Sequence, residues 1–73
     1  MTHDEIKQLL KEAELFQRRF KLRYKDGKKG SKVYSYAQLR GIYDREVRIL
    51  HKPNKNEFRT IPFHEIDSVE LLP

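Results

Sequence analysis

The sequence predicts an α+β fold: one N-terminal amphipathic helix followed by five short strands that meander antiparallel into a small barrel. Three observations carry this. Apolar residues recur at helical spacing through Phe16, the period then switches to two at Phe20, and short β-branched or aromatic runs separated by turn residues fill the rest. A chain of 73 residues makes a single domain, 1–73, with room for a compact core and no more.

Thr2 followed by Glu5 is a capping-box pattern, and Asp4 and Glu5 suit the positive end of a helix dipole. Ile6, Leu9, Leu10, Ala13 and Phe16 then fall on one stripe, with Lys7, Lys11, Glu12 and Glu14 opposite, which places a helix at about 3–17. Phe20, Leu22 and Tyr24 alternate with Arg19, Lys21, Arg23 and Lys25, so a strand over about 19–25 has an apolar face and a basic one. Asp26-Gly27 starts a turn that runs through Lys28-Lys29-Gly30. Strands follow at about 31–36, 47–52, 57–61 and 68–72. Residues 36–41 read either as a bend or as one helical turn. Pro53-Asn54-Lys55-Asn56 is a turn, Pro62 ends regular pairing, and the segment after it is a short 3₁₀-like turn. Successive short strands favour a meander. Five of them curl into an SH3-like or Sm-like barrel with the helix over one open end; a flat sheet packed on the helix is the alternative.

Charge is laid out unevenly. Residues 17–59 hold 14 basic and 4 acidic side chains, whereas 1–16 and 60–73 carry net −2 and −3. A regional positive field points to a polyanion, RNA before other nucleic acids, with an acidic protein as the alternative partner. Side chains on one strand face repeat about 6.6 Å apart, a spacing that lets Arg19, Lys21, Arg23 and Lys25 track phosphates. Lys28, Lys29, Lys32 and Arg48 extend that surface. Tyr34 and Tyr36 share a face with Lys32 and serve either as stacking platforms for bases or as inward-facing core. His64 either donates to a phosphate or is structural. His51 alternates with Val47 and Ile49 and falls at a strand end on the apolar face. Plain solvation accounts equally for a basic strand face, which also discourages edge-to-edge pairing.

Several classes are excluded. The chain has no cysteine, hence no disulfide or thiolate site, and its three histidines are not at ligand spacing. No Ser/His/Asp or Cys/His arrangement is visible, so no catalytic residue, metal or cofactor is expected and the chain reads as non-enzymatic. No apolar run reaches the ~20 residues of a membrane span, and with a polar, helix-patterned N-terminus no signal peptide is expected. A cytoplasmic monomer or small homo-oligomer is the expectation.

Thr60-Ile61-Pro62-Phe63-His64-Glu65-Ile66 resembles the I-P-[aromatic]-H-R-[I/V] signature of a family of small, mostly archaeal proteins predicted to recognise RNA ends bearing a cyclic phosphate. That family also begins with a helix and a strand ending in Y-x-D, as in Tyr24-Lys25-Asp26. The resemblance implies a phosphate role for His64; the family's arginine is Glu65 in this chain. In layout the sequence is similar to WYL domains, through Leu22-Arg23-Tyr24-Lys25-Asp26-Gly27 and Phe58 to Ile66, although Val47-Arg48-Ile49 stands near the place of the W-Y-L triplet. It is also similar to bacterial modulators of the Rho terminator, which place a helix before an Sm-like barrel but are acidic. All three resemblances imply the same barrel.

Overall fold

The computed structural model describes residues 1–52 and 56–73. The elements are helix α1 (His3–Leu15), strands β1 (Phe20–Asp26), β2 (Gly30–Ile42), β3 (Glu46–Lys52) and β4 (Glu57–Pro62), a 3₁₀ turn (Phe63–Glu65), and β5 (Ile66–Leu71). The fold is α+β, with one antiparallel five-stranded sheet in the order β4-β3-β2-β1-β5. Among the described residues no hydrogen-bonded pairing joins the edge strands β4 and β5, so the sheet is not closed by hydrogen bonds.

The capping box forms. Thr2 Oγ1 accepts from the Glu5 N–H at 3.2 Å, and the Glu5 carboxylate accepts from the Thr2 N–H at 3.2 Å. These bonds, the backbone one foremost, hold the Glu5 carboxyl below its ordinary range. The helix stops two residues short of the sequence expectation because Gln17 takes a left-handed φ of 51°. Arg18 N–H then donates to Ala13 O at 2.9 Å and Gln17 N–H to Glu14 O at 3.4 Å, the paired bonds of a Schellman motif. Glycine usually occupies that position; with glutamine there, the sequence gives no stop signal.

Alternation along β1 works as expected. Phe20, Leu22 and Tyr24 are buried, and Lys21, Arg23 and Lys25 are exposed. The largest departure is β2, thirteen residues long instead of six. Residues 36–41 are neither bend nor helical turn but its continuation. A register shift opposite Phe20–Leu22 places three residue steps of β2 against two of β1, and a second lies between Leu39 and Gly41. These bulges bend the strand, so its first half pairs with β1 and its second with β3. Pro62 is the last residue of β4, opposite Glu46. The Pro53–Asn56 turn expected from the sequence lies mostly outside the described residues. The core joins Ile6, Leu10 and Ala13 of α1 to the inner sheet residues and Phe63, with α1 packed against β2 and β5. No helix among the described residues is long and apolar enough to cross a membrane.

Two substitutions at the helix ends should move stability in opposite directions. Thr2→Ala is expected to cost about 1 kcal/mol, on the order of 4–8 °C in Tm. Gln17→Gly is expected to raise Tm by relieving a left-handed backbone cost of about 1 kcal/mol. Glu5 has a lowered pKa when folded, so its contribution is present above its ordinary value of 4.5 and lost as pH falls below it. Thermal melts of Glu5→Gln between pH 6 and about pH 3 should accordingly show a shallower acid loss than the parent.

Candidate nucleic-acid interface

The basic run divides among three places. On the outer face of β1, Lys21, Arg23 and Lys25 form a row. Arg23 lies between Val33 of β2 and Ser68 of β5, with no acid directly across, whereas Lys21 faces Glu70. Arg19 precedes the strand, and its guanidinium carbon sits 5.1 Å from the centre of the Tyr36 ring. One of its terminal nitrogens, Nη1, is buried without a hydrogen-bond partner, and the guanidinium as a whole is placed over the ring's π face. The bulge in β2 explains Tyr36. Tyr34 lies opposite Leu22 and Ala37 opposite Phe20, so both turn inward although three residues apart. Tyr36 is left outward, 56% exposed, in the bulge beside Lys21. Arg19, Tyr36, Lys21, Arg23 and Lys25 thus make one continuous outer strip. Lys28 and Lys29 extend it as exposed members of the β1–β2 turn, which is held by Lys29 N–H donating to Asp26 O at 2.7 Å.

Tyr34 and Lys32 belong to a different environment. Tyr34 packs against the core, its ring stacked on Tyr24 at 5.2 Å and on His51 at 4.7 Å. The two tyrosine hydroxyls hydrogen-bond at 3.0 Å. Burial, with that bond, pushes the Tyr34 phenol up to about 12. Lys32 lies opposite Tyr24, with Nζ 3.5 Å from the Asp26 carboxylate. Arg59 reaches the same carboxylate at 3.9 Å and lies over the Tyr24 ring at 5.6 Å. His51 comes within 3.8 Å of Glu57. Three tyrosine and histidine rings with ion pairs around them therefore occupy the inner side, and Tyr34 is not presented outward as Tyr36 is.

Arg48 belongs to a third cluster that includes two residues not singled out from the sequence. Its guanidinium lies 4.8 Å from the Phe58 ring, and that of Arg40 lies 5.7 Å from the same ring. Phe58 is 44% exposed. The signal for Phe58 was available: it is three positions before the buried Ile61, so strand alternation puts it on the opposite face. Arg40 had none, because it sits at a bulge. His64, exposed in the 3₁₀ turn, stands apart from all of these beside His3 and Lys7. Among the described residues no cluster of His, Asp or Glu could hold a metal ion.

No protein-family model, no curated protein and no solved structure matches the chain.

The Tyr34 environment has a measurable consequence at high pH. Its folded pKa lies above the ordinary 10.0, so its contribution is complete below pH 10 and is lost as pH rises toward 12. Urea melts of Tyr34→Phe should show a smaller alkaline loss over that interval than the parent.

Proposed function

We propose that the chain is a small non-enzymatic module that binds single-stranded nucleic acid, RNA in preference to DNA, in the cytoplasm, on an SH3-like or Sm-like half-open barrel. The strand order, the coiling of β2 and the 3₁₀ turn before β5 support the architecture. The binding assignment rests on one observation: the β2 bulge presents Tyr36 outward beneath Arg19 and next to the Lys21-Arg23-Lys25 row. An exposed ring offers a base a sequence-tolerant stacking surface, and the cations alongside it offer phosphates a track. Phe58 between Arg40 and Arg48 repeats the pairing on the β2–β3–β4 surface.

A protein partner is the second reading. Leu15 and Phe16, at the C-terminal end of α1, are 75% and 62% exposed, more than a polar surface requires.

Fluorescence anisotropy with single-stranded RNA, single-stranded DNA and a duplex separates the two. Binding should favour RNA and weaken with salt. In the Lys21→Ala/Arg23→Ala/Lys25→Ala variant, the log–log salt slope should flatten by about 2, at roughly 0.7 per phosphate contact. Tyr36→Ala should cost roughly 1–3 kcal/mol of affinity, the usual worth of one stacked base. A triple variant that binds like the parent, or weak salt-insensitive binding to all three probes, sinks the nucleic-acid assignment in favour of a protein partner.

A further inference from the structure

A cavity of about 230 Å³ lies between the start of α1, the β2–β3 turn and the 3₁₀ turn, lined by His3, Lys7, Asp44, Arg45, Phe63 and His64. It is remote in the fold from the Lys-rich β1–β2 turn, since the two turns are at opposite ends of the thirteen-residue β2. We propose that this cavity is a phosphate-monoester site, independent of the outer strip, in which Lys7, Arg45, His3 and His64 converge on one dianionic group.

The convergence is a product of folding. His3 and Lys7 come from the acidic N-terminal segment, His64 from the acidic C-terminal one, and Arg45 from the basic middle. His3 and Lys7 are four residues apart and share a helix face. Lys7 Nζ is held 5.1 Å over the Phe63 ring, which fixes an ammonium at the cavity. Phe63 N–H donates to Arg45 O at 2.9 Å, which ties the β2–β3 turn to the 3₁₀ turn. Phe63 is buried and its neighbour His64 is exposed, so the imidazole is left at the cavity wall. Asp4 and Glu5 line a different side of the helix, which leaves Asp44 as the acid in the cavity.

Two permanent cations and two imidazoles against one carboxylate leave a surplus of positive charge and several N–H donors. That combination suits a terminal phosphate, with three oxygens and two charges, better than a diester, with one charge and two chain exits. The pocket is small and open to solvent, so a terminal group can enter it while the rest of the ligand stays outside. Such a phosphate comes either from a small metabolite or from the end of a nucleic acid.

Backbone and imidazole NMR titrations at constant ionic strength distinguish these. The probes are inorganic phosphate, adenosine monophosphate, and a short RNA with either a 5′-phosphate or a 5′-hydroxyl. Saturable shifts at His3, Lys7, Arg45 and His64 with inorganic phosphate are expected. A further gain with phosphorylated over hydroxyl-ended RNA assigns the source to nucleic acid; a gain with adenosine monophosphate alone assigns it to a metabolite. Arg45→Gln should weaken phosphate binding about fivefold, the effect of one exposed charge pair. Asp44→Asn should tighten it by about threefold, by the same scale. The Lys21/Arg23/Lys25 triple alanine variant should leave it unchanged, so this site and the outer strip stand or fall separately. All the substituted residues are exposed, and unchanged melting confirms an intact fold. Absence of saturable shifts at these residues, or an Asp44→Asn variant that binds no better than the parent, overturns the proposal.

Discussion

Strand β2 has to serve two partners at once, and most of the surface follows from how it does so. Its first half pairs with β1 and its second with β3, and a straight strand of thirteen residues would outrun the 31 Å longest dimension of the molecule. Bulges relieve the conflict by inserting residues that bend the backbone and reset which side chains face the core. Ala37 rather than Tyr36 comes to lie opposite Phe20 as a result, and Tyr36 is released to the outside. The outward placement of Tyr36 in the cationic strip is the consequence of one irregularity in one strand, while the inner stack keeps the regular register that sets Tyr34 opposite Leu22.

Folding also redistributes the charge. The basic middle of the sequence is not one patch. Asp26 draws Lys32 and Arg59 toward the inner side, while Phe58 gathers Arg40 and Arg48 on another surface. What remains on β1 is a short cationic row bordered by serines and valine, with Glu70 at one end. Conversely, the acidic termini contribute histidines and a lysine to a cationic cavity. Net charge along the chain predicts neither, because hydrogen-bonded register and turn geometry choose the neighbours.

The readable parts were those governed by short repeats. Thr2 and Glu5 announce the helix start, the apolar stripe its buried face as far as Ala13 (Phe16, expected on the same stripe, is exposed), and the Phe20-Leu22-Tyr24 alternation the inward side of β1. These depend on residues within four positions of each other. Gln17 hid the helix end because side-chain chemistry gives no warning of its left-handed backbone. Residues 36–41 hid the length of β2 because bulges destroy the period that marks a strand. Of the expected site residues, Lys21, Arg23 and Lys25 keep the predicted outward face, whereas Tyr34 and Lys32 belong to an inner cluster assembled by Tyr24, His51 and Arg59. His51 was legible, since alternation with Ile49 needs no long-range information. The cavity beside His64 was not, because its walls come from three distant segments.

The position of β5 carries a consequence for the order of assembly. Strands β1 to β4 pair with their sequence neighbours, but β5 pairs with β1, bringing Leu71 against Phe20. That contact closes the longest loop in the sheet and carries the largest closure entropy. Until it forms, one edge of β1 has unpaired backbone groups, and α1 lacks one of the two strands it packs on. The meander β1–β4 is thus built from contacts between sequence neighbours, while the last strand makes the contact of largest sequence separation and ties the helix to the sheet.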